Sequence, residues 1–339
     1  MKNKSESSAE KKQIMNKARA KSTGKKLSIT ICMLALLFFY IWFNNTNLWR
    51  KSTTEYTWMS HRGVHQTFEV QQVGNLTNTA AIIRVPTHSY LENTIDSIKE
   101  AFNCGAQIVE LDVMLTKDGK LAVFHDATLE YRTDGIGSVE DYTMMELKQL
   151  DIGYGYTADG GSTFPFRGKG IGLMPEFSEV MEAFPDKQLL IHIKAGGVKT
   201  AEALSNILDE LDESYNELLF FYGGDEAIKY LKGRHPSYKT FAKNELTTGL
   251  IKYELLGWTG YIPQELHNRV ILLPSDYAPF LWGFPGKFVD RMKEVKTIVI
   301  LVNGDGSPAD GFDDDEERNN IPKGYDGLVW TNRIELWEK

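Results

Sequence analysis

The sequence predicts an α/β fold, a TIM (β/α)8 barrel preceded by one N-terminal transmembrane helix. From residue 57 to residue 339, apolar β-rich runs alternate with helical patterns, which is typical of a parallel sheet or barrel in one large domain. Ahead of this segment, a basic tail leads into an uninterrupted apolar run. With 42% hydrophobic and 25% charged residues, the composition is that of a globular protein.

The charge is distributed unevenly along the chain. Residues 1–26 contain nine Lys or Arg residues against Glu6 and Glu10, a balance of +7; because the net charge is −8, the remaining residues carry −15. A body this acidic argues against a nucleic-acid partner. No GxGxxG follows the first strand and no GxxxxGK[ST] occurs, so a nucleotide-binding reading has no support.

The apolar run from Leu27 to Phe43 contains no charged residue and has the minimum length for crossing a bilayer. It predicts a basic cytoplasmic tail (1–26), a transmembrane anchor (27–44), a linker (45–56) and a barrel domain (57–339). The flanking charges place the protein in the cell membrane as a single-pass protein, with its N-terminus cytoplasmic and its catalytic domain periplasmic or extracellular. A cleaved signal peptide is the alternative; the long tail and the lack of a small-x-small site favour an anchor.

Nine apolar runs rich in β-branched and aromatic residues are candidate strands. They are 57–61, 107–113, 121–125, 189–194, 218–222, 240–242, 270–273, 297–302 and 327–331. Helical patterns between them are 94–103, 143–150, 177–184, 200–211, 226–232, 245–256 and 285–295. Since a barrel has eight places, one candidate is an accessory element or a loop, and we assign that role to 270–273.

Two carboxylates mark the second candidate strand. Because side chains two apart on a strand share a face, Glu110 and Asp112 point the same way from an otherwise apolar run. Such a buried pair is costly unless a positive charge lies between them. His125, which we expect to end the next strand, can approach the same place, so the pattern indicates a divalent metal beside an acid/base group.

Cationic and imidazole groups follow or end two other strands. His61 and Arg62 follow the first strand, where a guanidinium fork and a group that titrates near neutral pH suit a phosphate ester. His192 and Lys194 share a face of the strand 189–194, and a buried lysine needs an anionic partner. The alternative for His61 and Arg62 is an ordinary surface site. Asn93 or Thr94 opens the next helix, and the alternative for them is that they simply cap it.

Taken in order, several short motifs resemble those of the glycerophosphodiester phosphodiesterase family over roughly residues 57–335. They are HRG (61–63), ENT (92–94), VELDV (109–113), TKDG (116–119), VFHD (123–126) and MPEF (174–177). The resemblance implies a TIM barrel, a bound calcium or magnesium ion, and hydrolysis of glycerophosphodiesters to glycerol 3-phosphate and an alcohol. It also suggests a cyclic phosphate intermediate, formed by the substrate's own glycerol hydroxyl.

The resemblance further implies roles for individual residues. His61 and His125 match the acid/base pair of the family, and Arg62 and Lys194 match its phosphate-binding cations. Glu92 matches a glutamate at the edge of the site. Glycerophosphodiester hydrolysis by paired histidines is therefore the expected function.

The metal ligands depart from the family pattern at one position. Glu110 and Asp112 match two ligands, but His192 stands where the family has a third carboxylate. Imidazole is a poor ligand for calcium or magnesium and a better one for manganese or zinc. Either His192 binds a different divalent ion, or Glu110 and Asp112 hold the metal with water.

Two other functions stay open at this point. One is a lysophospholipase D-type cleavage of lysophospholipids, which an anchor close to the bilayer favours. The other is a catalytically weakened ligand-binding barrel, which a lost metal site at His192 would favour and the retained His61, His125, Glu110 and Asp112 oppose. The expected partners are a small or lipid-derived phosphodiester and the membrane, with no obligate protein partner evident.

Overall fold

The protein is a nearly closed parallel β-barrel with helices on its outside, preceded by one long helix. The computed structural model describes residues 3–50, 55–69, 73–74, 77–194, 197–306 and 310–337. Residues 51–54 of the predicted linker, and the two residues at each end of the chain, lie outside the described residues.

Within the part of the chain that the structure describes, nine strands form one sheet. They are β1 Thr57–Ser60, β2 Ala106–Leu115, β3 Leu121–Val123, β4 Gln188–Ile193, β5 Leu219–Gly223, β6 Lys239–Ala242, β7 Val270–Pro274, β8 Ile298–Val302 and β9 Leu328–Thr331. Eight of them pair in parallel in the order β6-β5-β4-β2-β1-β9-β8-β7, and a bridge between Thr240 and Arg269 joins the two ends. The predicted TIM barrel is confirmed.

The accessory strand is a different one from the strand predicted. The run 270–273 was predicted as the accessory element, which is wrong, because β7 pairs in parallel with β8 inside the barrel. The extra strand is β3, which pairs antiparallel with Val113–Leu115 at the end of β2. Only residues 116–120 separate the two strands, and a parallel crossover needs a dozen or more.

Apart from α1, which precedes β1, the helices lie between successive strands. They are α1 Asn3–Asn45, α2 Ile95–Asn103, α3 Met144–Leu147, α4 Phe177–Ala183, α5 Val198–Leu208, α6 Asp225–Arg234, α7 Lys243–Leu256, α8 Gly286–Glu294 and α9 Asp315–Asn319. The predicted helix 143–150 is confined to one turn, and Thr143 caps it by accepting a hydrogen bond from the Glu146 amide. Helix α1 includes almost the whole basic tail as well as the apolar run.

An apolar layer fills the barrel interior beneath the polar ends of the strands. Met59, Ile108, Leu190 and Phe220 are fully buried there. Along each strand, residues two apart share a face, so the side chains two positions after Ile108, Leu190 and Phe220 point to the same interior one level closer to the carboxyl ends. This layer therefore supports whatever those side chains form.

The N-terminal helix is long and apolar enough to cross a membrane over Thr23–Asn45, and none of that apolar stretch is buried against the barrel. Its carboxyl end is attached to the barrel by hydrogen bonds. The side-chain amides of Asn44 and Asn45 each donate to the carbonyl of Trp258 at 3.0 Å. Just after the helix, Arg50 pairs with Asp290 at 2.6 Å and with Asp326 at 2.5 Å.

Candidate active site

The residues predicted to carry chemistry lie together at the carboxyl ends of neighbouring strands. His61 and Arg62 follow β1, Glu110 and Asp112 lie on β2, and His192 lies on β4 with Lys194 directly after it. His125 was expected to end a strand, which is wrong: β3 stops at Val123, and His125 lies in the loop that follows. In TIM barrels this end of the barrel holds the active site.

Glu110 and Asp112 are completely buried beside each other. The Tyr222 hydroxyl donates to Glu110 Oε1 at 2.6 Å, and the Arg62 amide donates to Glu110 Oε2 at 3.2 Å. Asn93 donates from Nδ2 to Asp112 Oδ2 at 3.0 Å and accepts from the Asp112 amide at 3.1 Å. Beyond capping a helix, as the sequence allowed, the ENT motif thus positions a carboxylate.

The pKa values of the two carboxyl groups are shifted in opposite directions. Burial and the neighbouring charge of Asp112 raise the pKa of Glu110 to about 8. Burial also acts to raise the pKa of Asp112, but the positive groups around it, Arg62 and Lys194 among them, hold that pKa well below its ordinary value. At neutral pH the pair therefore carries one negative charge, on Asp112. It carries two negative charges when a cation replaces the proton of Glu110.

His61 is held by a neutral amide. Its Nδ1 lies 2.7 Å from Asn332 Oδ1, and its ring is packed against Trp330 with the centroids 4.7 Å apart. The Asn332 amide is oriented by Asp313, to which its Nδ2 donates at 2.6 Å. Asn332 Oδ1 is then an acceptor, so His61 carries its proton on Nδ1 and leaves Nε2 as an acceptor, 3.8 Å from Glu110 Oε2. Burial, and the nearby charge of Arg62, lower the pKa of His61 well below its ordinary value.

His125 is held by a carboxylate. Its Nδ1 lies 2.7 Å from Asp126 Oδ1, so the proton is on Nδ1 here as well. On the other side of the ring, Lys194 Nζ lies 3.1 Å from Nε2 and 4.0 Å from Asp112 Oδ1. Burial lowers the pKa of His125, while Asp112 and Asp126 oppose that shift.

A buried ion network connects the two sides of the site. Glu92 accepts from Arg62 at 3.2 Å and from Arg132 at 3.0 Å, and Arg132 also pairs with Asp126. Although burial opposes it, these two guanidinium groups hold the pKa of Glu92 far below its ordinary range. Arg62 has a positive φ of 57°, which directs its backbone amide at Glu110 while its side chain faces Glu92. Glu92 therefore fixes the side chain of Arg62 by a buried ion pair.

Glu110, Asp112 and His192 form a group that could hold a metal ion, with one ligand atom from each lying within 4.8 Å of the others. His192 Nδ1 is 3.0 Å from Asp112 Oδ1, and its ring is stacked on Tyr222 with the centroids 4.1 Å apart. A cation here would be bound by two oxygens and one nitrogen. That donor set fits a divalent ion and suits manganese or zinc better than calcium.

Several contributors were not identified from the sequence. They are Asn332, Asp313, Asp126, Arg132 and Tyr222. The hydrogen bond by which Asn93 positions Asp112 was not identified either. Asp126 and Tyr222 carried a usable signal, because the first adjoins His125 and the second lies two residues after the interior Phe220. Arg132 and Asp313 lie in loops whose folding brings them to the site, and no local pattern reveals that.

Comparison with known proteins gives a consistent result. Residues 61–269 match the model of the glycerophosphoryl diester phosphodiesterase family. A glycerophosphodiester phosphodiesterase of Caldanaerobacter subterraneus subsp. tengcongensis is 38% identical over 126 residues, which cover 37% of this chain and 48% of that protein. One of Bacillus subtilis is 38% identical over 96 residues, covering 27% and 31%. The matched stretches thus span half or less of these relatives.

Solved structures show the same fold over most of the chain. A glycerophosphoryl diester phosphodiesterase domain from Mycobacterium tuberculosis has a TM-score of 0.60 at 16% identity, covering 84% of this chain and 98% of that one. A phosphodiesterase of Oleispira antarctica, solved with its product sn-glycerol-3-phosphate, has a TM-score of 0.51 at 19% identity, covering 83% and 94%. At these identities the likeness concerns the fold.

The ion network predicts a pH-dependent stability. We expect Glu92→Gln to lower the free energy of unfolding at pH 7 by about 3 kcal/mol, because it leaves two buried guanidinium groups short of a charge. Because the pKa of Glu92 is lowered in the folded protein, this stabilising contribution is fully present above the unfolded-state pKa of about 4.3. It is progressively lost as the pH falls from there toward the folded-state pKa. Urea unfolding at pH 7 and at pH 4 should therefore show a smaller difference between variant and wild type at pH 4.

The matched control is Glu265→Gln, which removes the exposed ion pair with Lys252. It should change stability by less than about 1 kcal/mol at either pH. An equal effect of the two variants at pH 7 would show that the Glu92 network contributes no more than a surface pair.

Proposed function

Because the chain belongs to the glycerophosphoryl diester phosphodiesterase family, we propose that it hydrolyses glycerophosphodiesters to glycerol 3-phosphate and an alcohol. The observation that carries the proposal is the placement of two oriented imidazoles, His61 and His125, on either side of the buried carboxylates Glu110 and Asp112.

His61 is the general base in this proposal. A base must be neutral before reaction, and its partner Asn332 offers a neutral oxygen that fixes the Nδ1–H tautomer without favouring the imidazolium. Burial favours the neutral ring too. Nε2 is thereby directed toward the carboxylates, where it can accept the proton of the attacking hydroxyl.

His125 is the general acid. Asp126 is an anionic partner for Nδ1 and stabilises the imidazolium, which a neutral amide does not. Lys194 Nζ occupies the second nitrogen, Nε2, at 3.1 Å. When a phosphate attracts the lysine, Nε2 is released to take a proton and then pass it to the leaving alkoxide.

Arg62 and Lys194 supply positive charge for the phosphodiester. Arg62 is anchored from two sides by Glu92 and Asp112, so its guanidinium is already oriented when substrate arrives. Its Nε lies 3.3 Å from Asp112 Oδ2, an ion pair that lacks the alignment of a hydrogen bond. Lys194 is less constrained and partly exposed, which suits a group that moves between His125 and the substrate.

We further propose that Glu110, Asp112 and His192 bind one divalent ion. The support is the convergence of three donors and the raised pKa of Glu110, which marks a carboxylate pair short of positive charge. When bound, the ion polarises the phosphoryl oxygen as a Lewis acid. The chain's own residues bind and orient the diester and move its protons.

The N-terminal helix is proposed as an uncleaved membrane anchor with the basic tail in the cytoplasm, which places the barrel outside. Its support is the length and apolar composition of Thr23–Asn45 and the positive charge that precedes it. The hydrogen bonds from Asn44 and Asn45 to the barrel give the retained helix a structural role that a removed signal peptide would not have.

A substrate with a different leaving group should distinguish the roles of His61 and His125. We expect His61→Ala and His125→Ala each to lower kcat/KM for glycerophosphocholine by about 100-fold or more. With a p-nitrophenyl ester of glycerol phosphate, whose leaving group needs no proton, His125→Ala should regain most of its activity, while His61→Ala should not. His267→Ala, in a remote loop, is the control. Rescue of His61→Ala alone would reverse the assignment, and turnover unaffected in both variants would refute it.

Metal binding should release a proton. Since the raised pKa keeps Glu110 protonated at pH 7 in the metal-free protein, Mn²⁺ binding should displace about one proton there and progressively less above pH 8. Calorimetry in buffers of different ionisation enthalpy measures this number without any substrate. The release should disappear in Glu110→Gln; an unchanged release would mean that Glu110 is not the group that titrates.

Substitution of His192 should change which divalent ion the site prefers. We expect His192→Glu to shift the preferred ion from Mn²⁺ or Zn²⁺ toward Ca²⁺ or Mg²⁺, because a third carboxylate replaces imidazole. Direct binding isotherms for the four ions, with His192→Gln as a variant that keeps the size without the charge, measure the shift. An unaltered order of affinities would show that His192 is not a ligand.

A further inference from the structure

We propose that the barrel rests on the membrane by its amino-terminal face, with the active-site mouth directed away from the bilayer. The substrates are then glycerophosphodiesters dissolved in the surrounding water, and lysophospholipids held in the same bilayer are excluded. This inference rests on the proposed function and on the proposed anchor, and it adds the substrate class and the direction of approach.

The length of one helix gives the distance between the two faces. Helix α7 begins at Lys243, directly after β6 ends at Ala242, and therefore starts at the face that carries the active site. It ends at Leu256 after 14 residues, about 21 Å away at 1.5 Å per residue. The short turn Gly257–Thr259 that follows lies at the opposite, amino-terminal face.

The anchor helix is attached to that opposite face. The hydroxyl of Tyr40 donates to the Thr259 carbonyl at 3.1 Å, and Asn44 and Asn45 both donate to the Trp258 carbonyl. Asp326, which pairs with Arg50, stands two residues before β9 begins and so also marks the amino end of a strand. Each of these contacts lies on the far side of the barrel from His61 and Asp112.

Several side chains hold the end of the anchor helix on the barrel, and we call this set of contacts the joint. Arg291, buried on α8, donates from Nη2 to the Asn44 carbonyl at 2.9 Å and from Nη1 to Asn45 Oδ1 at 3.0 Å. Asn47 donates to the carbonyl of Phe284 at 3.0 Å and accepts from the Lys287 amide at 2.8 Å. Contacts from several side chains to different barrel elements fix an orientation, whereas one flexible tether would let the barrel turn.

The side chains around this joint are those of a membrane interface. Trp42, Phe43 and Trp49 pack together at the end of the helix and stay exposed, as aromatic residues do where a membrane segment leaves the bilayer. On the adjoining barrel face, Leu255 and Tyr261 are 68% and 53% exposed. Exposed apolar side chains such as Ile136 and Ile171 also occur singly elsewhere on the barrel.

The end of the aromatic segment 280–284 contacts this joint. The Trp282 indole donates to the Glu254 carbonyl near the end of α7, and the carbonyls of Gly283 and Phe284 accept from Asn47. Residues 282–284 thus pack on the anchor side of the barrel. A lysophospholipid with its chain in the bilayer keeps its phosphate near the lipid headgroups. That phosphate is separated from the active site by the full height of the barrel.

The orientation can be measured independently of activity. The full-length protein, carrying Cys32→Ser, is labelled with a fluorophore at Leu255→Cys or at Ser162→Cys and placed in phosphatidylcholine vesicles that contain headgroup-quencher lipid. Ser162 is exposed in the connection 124–175 beyond the carboxyl end of β2. We expect strong quenching at position 255 and little at position 162. Equal quenching, or stronger quenching at 162, would overturn the proposal.

Activity in the same vesicles tests the substrate class. With Mn²⁺ present, the wild type should hydrolyse dissolved glycerophosphocholine and leave bilayer-held lysophosphatidylcholine intact. A variant that combines Tyr40→Phe, Asn44→Ala, Asn45→Ala, Asn47→Ala and Arg50→Ala with a flexible Gly-Ser insertion after residue 50 removes the side-chain contacts of the anchor and frees the barrel. It should keep the glycerophosphocholine rate and gain hydrolysis of the bilayer-held lipid.

The outcomes distinguish this inference from the function on which it rests. Wild-type hydrolysis of bilayer-held lysophosphatidylcholine at the glycerophosphocholine rate would overturn the inference alone, as would a freed variant that gains none. Absence of glycerophosphocholine hydrolysis by the wild type would refute the proposed function, while the quenching pattern would still decide the orientation.

Discussion

The site depends on the cost of burying two carboxylates side by side. Glu110 and Asp112 have no exposure to water, and such a pair is strongly destabilising without compensating charge. Arg62, Lys194 and the hydroxyl of Tyr222 supply part of that compensation. The remaining deficit is seen in the raised pKa of Glu110, and it is what makes the place suitable for a divalent cation.

The neighbouring groups follow from the same constraint. Arg62 is held by Glu92, which is held in turn by Arg132, and Arg132 pairs with Asp126, the partner of His125. Positive and negative side chains therefore alternate from Arg62, beside the buried carboxylates, to His125. Each histidine is oriented through Nδ1, so the arrangement is set before substrate arrives and little reorganisation is needed during reaction.

The fold and the chemical residues were largely predictable because their signals are local. Alternation of strands and helices indicated the barrel, and the two-residue period placed Glu110 beside Asp112 on one face. The error over 270–273 arose because composition does not distinguish a short barrel strand from a hairpin strand; the five-residue separation of β2 and β3 does. Asp313 and Arg132 were missed because long-range folding of loops brings them to His61 and Glu92.

We propose that this site cleaves the ester bond between the phosphate and the alcohol that is not glycerol. This cleavage can be followed by ³¹P NMR of glycerophosphocholine incubated with the full-length protein and Mn²⁺. The diester signal should be converted into that of glycerol 3-phosphate, with choline released in equal amount. Formation of phosphocholine, or an unchanged diester signal under conditions in which the protein binds the ion, would contradict it.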